Sequence, residues 1–311
     1  MVIKMKDNKI EILYSNNPKY PEFFNKIKNK PKKLYIQGNI ELLNKPCIAI
    51  VGSRKFSEYG KKMAKKFTKE LVNEGFAIVS GLADGIDTFA HEECIASGGK
   101  TIAVIACGFN KICLEKNKEL YHKILNSNGC IITEYSPNTL TCSKNFPVRN
   151  RLISGLSLGT LVVEANYRSG TSITARFCME QNRKLFCIPN SLESKNSIGV
   201  NKLIKKGAIL VTCIDDIIKE VGQVKNKIKI EKKLEDKKII KEELIKIEKD
   251  LSKQEFKIYK LLKNNSLNVD EISNTCKLNI SEVNVILSKL EIEDYILKLP
   301  NNKYSVRNNE K

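Results

Sequence analysis

FPVRNRLISGLSLGTLVVEANYRSGTSITA, residues 146–175, reads as a helix, a buried strand, a loop and the start of a second helix. Helical spacing places Val148, Leu152 and Leu156 toward a core and lets Arg149 and Asn150 project toward the strand ends. Thr160 to Ala165 is a mostly apolar run of strand length, and the loop from Asn166 to Thr171 opens a helix at Ser172. A strand leading through a Gly/Ser loop into a helix N-terminus aims several unpaired backbone N–H groups at one spot, which attracts an anion. Arg149, Arg151 and Arg168 stand near that spot in sequence.

The same pattern repeats on either side. CIAIV (47–51), FAIVS (76–80), TIAVIA (101–106), CIITE (130–134), LFCIP (185–189) and AILV (208–211) are apolar runs of strand length, separated by helix-period segments such as the one placing Met63, Phe67 and Leu71 on one face. Apolar strands alternating with helices predict a parallel sheet covered on both faces. The fold class is therefore α/β: a Rossmann-like, doubly wound, mainly parallel sheet over residues 46–218. Residues 1–45, with Tyr20, Phe23, Phe24, Leu34 and Tyr35, are too apolar for a free tail and are expected as short helices and an extended segment packed on the core. Residues 219–250 are mostly Lys, Glu, Asp and Ile and read as a charged linker or a solvated helix. Residues 251–307 resume a compact pattern of three helices, with caps at Asn268 and at Asn279 or Ser281, followed by two short strands around a Pro-Asn-Asn turn. That is a small C-terminal winged-helix domain. Its third helix carries Glu282, Glu291 and Glu293, which favours a structural or partner-binding role over reading DNA.

The 311 residues hold 54 Lys+Arg against 35 Asp+Glu, a net charge of +19, so nucleic acid is the leading partner class. Lys, Asn and Ile are abundant throughout, so position must carry the argument. Ten cysteines are scattered without a C-x-x-C pair, and His91 and His122 are the only histidines, so no metal site is expected and the thiols read as reduced. The start MVIKMKDNKI lacks an apolar leader, and no run approaches the ~20 apolar residues of a membrane span, which predicts a cytoplasmic protein without membrane contact. GGKT (98–101) leads into a strand and has Cys94 where a P-loop needs glycine; G-x-G-x-x-G is absent after CIAIV. No cofactor is expected.

Gly52, Ser53 and Arg54 follow the first parallel strand directly, where open α/β sheets place ligands: a close backbone approach, a hydroxyl and a guanidinium fork. In SGLADGIDTFAH (80–91), Gly81, Gly85, Asp87 and His91 read as loop-structuring, with Asp87 capping the helix and His91 bonding locally. Phe146, preceded by Lys144, offers a ring for base stacking beside cations that hold phosphates, the chemistry of single-strand binding.

IAIVGSR, SGLADGIDTFAH, TIAVIACGFN, FPVRNRLISGLS, VVEANYRSGTSITA and GVNKLIKKGA, in this order between about Tyr20 and Val211, resemble the DprA/Smf family of DNA-processing proteins of natural transformation. The resemblance implies a homodimer, formed through the Rossmann-like domain, that binds and protects single-stranded DNA and loads RecA onto it. The expected DNA-binding set is Gly52, Ser53, Arg54, Lys144, Phe146, Arg149, Asn150, Arg151, Arg168, Ser169, Gly170, Thr171 and Ser172. Two departures occur: Cys113-Leu114 stands where the family usually has Tyr-Pro, and Ile188-Pro189-Asn190 where it has Val-Pro-Gly.

The competing class is an enzyme. Rossmann-like phosphoribohydrolases that cleave nucleoside monophosphates carry P-G-G-x-G-T-x-x-E. Here Gly170-Thr171 matches the phosphate cradle, whereas the acid position is Thr174. Phosphate binding without catalysis is the expectation, and a small-nucleotide sensor would use the same pocket.

Overall fold

The computed structural model describes residues 9–111, 115–166, 169–223, 226 and 250–306; Arg168, Cys113-Leu114 and most of the charged stretch 219–250 lie outside the described residues. The chain divides into two compact units, Met1–Lys229 and Ile230–Lys311.

The first unit is built on one nine-stranded sheet. Its strands are β1 (Glu11–Tyr14), β2 (Lys33–Gly38), β3 (Cys47–Val51), β4 (Ala77–Ser80), β5 (Thr101–Val104), β6 (Cys130–Thr133), β7 (Gly159–Val162), β8 (Lys184–Cys187) and β9 (Ile209–Leu210). The order is β1-β2-β6-β5-β4-β3-β7-β8-β9, and every pair from β6 to β9 is parallel. The chain thus winds outward from β3 to β6, returns, and winds the other way from β7 to β9. The reversal between β3 and β7 is the switch point where such sheets open a crevice at the strand carboxyl ends.

The N-terminal segment packs its apolar residues into the core with short 3-10 turns, and its extended part also lengthens the sheet: β2 pairs antiparallel with both β6 and β1. Alternation in KLYIQG explains this, since Leu34 and Ile36 enter one core layer while Tyr35 enters the other. A 3-10 turn at Glu22–Lys26 seats Phe24 in the first of those layers.

Helices cover both faces, as alternation along each strand demands. Ile48 and Ile50 of β3 meet Ala64, Phe67 and Leu71 of α1 (Glu58–Asn73) and Ile86, Ala90 and Cys94 of α2 (Ile86–Ala96). Ala49 and Val51 face Leu152, Ile153 and Leu156 on and just after α4 (Asn145–Gly155), Ala175 and Cys178 of α5 (Gly170–Glu180), and Val200 and Leu203 of α6 (Ile198–Lys205). The remaining helices are α3 (Glu115–Asn126) and α7, described over residues 214–223. No described helix is long and apolar enough to cross a membrane.

The second unit holds α8 (Lys253–Asn264), α9 (Val269–Cys276), α10 (Ile280–Ile292) and the antiparallel pair β10 (Ile296–Lys298) and β11 (Tyr304–Val306). Each helix opens with a capping box: Ser252 with Glu255, Asn268 with Glu271, and Asn279 with Glu282. Ile258, Leu262, Ile272, Val283, Leu287, Leu290 and Ile296 close the core. Three helices and a hairpin make this a winged helix.

Candidate nucleic-acid interface

At the switch point lies a cleft of about 450 Å³. Its walls are the loop after β3 (Gly52, Ser53, Arg54, Lys55), the first turn of α4 (Phe146, Arg149, Asn150), the approach to α5 (Asn166, Ser169, Gly170, Thr171, Thr174) and Asn196. Among the described residues its lining carries three cationic side chains, Arg54, Lys55 and Arg149, and one carboxylate, Asp87.

The first turn of α4 stands at the carboxyl end of β5. Asn145 Nδ2 donates to the carbonyl of Ala106 (3.0 Å) and Arg149 Nη1 to that of Val104 (2.6 Å), both at the exit of β5. This overturns one expected side-chain direction. Val148 is 42% exposed, whereas Arg149 is 3% exposed. Burial pushes the Arg149 pKa down to about 10; the Asp87 carboxylate opposes that shift, and Arg54 adds to it. Arg149 remains a cation at neutral pH, fixed at the cleft floor.

Phe146 sits above Arg149, half-buried, with its ring centroid 5.9 Å from the Arg149 guanidinium carbon and 5.2 Å from that of Arg54. Planar cations near an aromatic ring are favourable partners. Arg54 itself is exposed. The hydroxyl of Ser53 donates to the Lys55 carbonyl (2.8 Å) and accepts from the Lys55 N–H (3.1 Å), so it shapes the loop.

Ser169 is the N-cap of α5 and makes no side-chain cap bond, which leaves the first amides of that helix directed at the cleft. Ser172 lies off the cleft, 3.4 Å from Ser169 between hydroxyls. Two other expected DNA-binding residues also fall elsewhere. Lys144 precedes α4 as an exposed residue outside the lining, and Arg151 turns away to bond Glu134 at 2.5 Å, with both side chains largely buried. One helical position separates Arg151 from Asn150, and that rotation carries it to another face.

The loop before α2 is set by Gly85, whose φ of 86° is disfavoured for side-chain-bearing residues. Asp87 is the second residue of α2 rather than its cap; its Oδ2 reaches back to accept the Gly81 N–H at 3.0 Å, because α2 begins at Ile86. Burial raises the Asp87 pKa, and the Arg149 charge offsets part of the shift. His91 is fully buried, with Nδ1 2.7 Å from Thr101 Oγ1, and burial foremost pushes its pKa down to about 3. It is neutral at physiological pH.

Sequence reading missed Lys55 and Asn196. Lys55 follows the Gly52–Arg54 triplet and was within reach of the same argument. Asn196, in a polar segment without a motif, reaches the cleft because its amide donates to the Lys55 carbonyl at 2.7 Å.

Family models match both units of the chain. The family model for DNA recombination-mediator protein A matches residues 11–222, and that for the DprA winged helix domain matches residues 246–302. The DNA processing protein DprA of Streptococcus pneumoniae is 43% identical over 201 residues, spanning 65% of this chain and 71% of that protein. Protein Smf of Escherichia coli is 40% identical over 191 residues, 61% of this chain and 51% of the relative. Among solved structures, the S. pneumoniae DprA superposes with a TM-score of 0.65 at 40% identity, covering 68% of this chain and 74% of its own. DNA processing protein A from Helicobacter pylori, whose structure describes a single-stranded DNA binding mode, superposes with a TM-score of 0.62 at 30% identity, covering 70% and 97%. With family models matching residues 11–222 and 246–302 and relatives at about 40% identity, the chain belongs to the DNA recombination-mediator protein A family, the DprA/Smf proteins.

Proposed function

We propose that this chain is a non-enzymatic, cytoplasmic single-stranded DNA-binding protein that protects incoming strands and loads RecA for recombination in natural transformation, acting as a homodimer through its Rossmann-like unit. The observation that carries the binding step is the Phe146 ring flanked by Arg54 and Arg149 at a cleft that also receives the N-terminus of α5. A base stacks on such a ring while guanidinium and backbone N–H groups take adjacent phosphates, which is tolerant of sequence. The single-strand binding described for the H. pylori relative supports the same reading. Strand protection, RecA loading and dimerisation rest on family membership.

The residues favour binding over hydrolysis. Thr174, a hydroxyl, lines the cleft where the phosphoribohydrolase signature has its acid. Asp87 is engaged by the Gly81 N–H and the Arg149 charge, and Glu164 is fully buried among hydrogen-bond donors. The winged helix holds eight lysines against seven acidic residues over residues 251–306, so it contributes little of the +19. Its α10 exposes Val285 (70%) and Ile292 (83%), a surface suited to a protein partner.

The test is a fluorescence-anisotropy titration with labelled oligo-dT of increasing length, across a salt series and against duplex, with a RecA pull-down. Affinity should rise with length, fall steeply with salt and be weaker for duplex. Saturation at one or two nucleotides, with competition by AMP, would instead identify a nucleotide sensor.

A further inference from the structure

We propose that Glu164 is a positioning residue that holds the Arg54–Lys55 loop in the orientation that receives a phosphate backbone. The proposal rests on the reading of the cleft as a single-strand site. Glu164 lies just past the end of β7 and is fully buried. Its donors are all neutral. Oε2 accepts from the Ser57 backbone N–H at 3.0 Å and from Asn196 Nδ2 at 3.5 Å; Oε1 accepts from the Ser57 hydroxyl and from Asn190 Nδ2 at 3.2 Å. A buried carboxylate is tolerated when its oxygens are satisfied in this way, and it also stands at the positive end of the α1 dipole.

The carboxylate reaches that position because α1 makes room for it. Ser57 is the N-cap of α1, its Oγ accepting from the Gly60 N–H at 3.1 Å, and a Cβ on Gly60 would collide with Glu164 Oε2. Glycine at 60 therefore lets the helix start sit directly on the carboxylate.

From Glu164 the ties run to the cleft. Asn196 donates to Glu164 with the same amide that donates to the Lys55 carbonyl at 2.7 Å, and Lys55 is bonded in turn to Ser53. Ser57, at the other end of the short loop, is held by Glu164 directly. At its start, the Ser53 carbonyl accepts from the Ile86 N–H at 3.3 Å. Arg54 and Lys55 are thus exposed side chains on a loop pinned at both ends. Preorganisation of this kind reduces the ordering cost of binding. Four donors converge on two oxygens, so an amide at 164 would turn its NH₂ toward donors it cannot accept from.

The test uses the full chain and fluorescein-labelled oligo-dT, with circular dichroism and a thermal melt to establish folding. Glu164→Ala should bind about tenfold more weakly. Its salt slope should fall by about 0.7 for each phosphate the loop no longer holds, a change that reduced stability alone does not produce. Glu164→Gln keeps one acceptor and should recover part of the affinity. In an Arg54→Ala background, Glu164→Ala should cost less than it does alone, because only Lys55 is left for it to orient. Should Glu164→Ala not fold, Asn196→Ala cuts the tie to Lys55 and should lower the slope in the same sense. Wild-type affinity and slope in a folded Glu164→Ala or Asn196→Ala variant, or additive effects in the double variant, overturn the proposal. If Arg54→Ala itself binds as wild type does, the strand-binding reading fails instead.

Discussion

The guanidinium carbon of Arg54 lies 5.2 Å from the centre of the Phe146 ring, joining the loop after β3 to the first turn of α4 across the mouth of the cleft. The proposed strand binding assigns the two residues separable contributions, one stacking and one ionic. Phe146→Leu should weaken oligo-dT binding about tenfold with an unchanged salt slope, since a stacked base is worth ~1–3 kcal/mol and every phosphate keeps its cation. Arg54→Ala should weaken binding several-fold and lower the slope by about 0.7. Anisotropy at four or more salt concentrations distinguishes the two signatures; an identical slope change in both variants would contradict this division of labour.

Arg151 should behave differently from its neighbours in the motif. Its bond to Glu134, with the side chains 12% and 15% exposed, lies away from the cleft. Arg151→Ala leaves a largely buried carboxylate without its partner, so the protein should lose about 2 kcal/mol of stability. Its oligo-dT affinity, measured below the lowered melting temperature, should match wild type. A large drop in affinity at full stability would place Arg151 at the DNA.

His91 predicts an acid sensitivity. Its pKa of about 3 in the fold lies below the ~6.5 of an unfolded chain, so between these values the unfolded state binds the extra proton. Its contribution is fully present above pH ~6.5 and is lost as pH falls toward 3, by up to ~1.4 kcal/mol per pH unit. Asp87, raised by burial, acts in the opposite sense in its own range. The informative quantity is therefore the difference between wild type and His91→Asn, in which an amide replaces Nδ1 near Thr101. Melts between pH 7 and 4 should show a shallower fall for the variant; parallel curves would exclude His91 as the source.

Removal of the winged helix should leave strand binding in place. The described lining residues of the cleft all belong to the first unit, and the second unit is nearly neutral. A chain ending at Lys229 should bind oligo-dT within about threefold of the full chain, because it retains the cations that hold phosphate. Failure of a folded truncation to bind would assign the DNA site to the other unit.

Much of the fold was legible because parallel strands buried on both faces must be apolar throughout. CIAIV and TIAVIA announce strands without any knowledge of their neighbours. The N-terminal strands were not legible in that way. KLYIQG is short and follows Pro31 and Lys32, and its pairings with β6 and β1 make it a strand. At the site, Arg54, Phe146 and the Ser169–Thr171 helix start could be named because strand-to-helix loops carry ligands in such sheets. Asn196 had no local signature, because its role depends on a hydrogen bond to a residue 141 positions away.

The sequence by itself determined the alternation of strands and helices, the winged helix with its capping residues, and the segments that come to line the cleft. Tertiary structure alone decided which of their side chains face it. Arg149, Asn150 and Arg151 are consecutive, yet the first floors the cleft, the second lines it and the third pairs with Glu134. Successive residues of a helix point about 100° apart, and only the packing of α4 against the sheet selects the direction that faces the cleft.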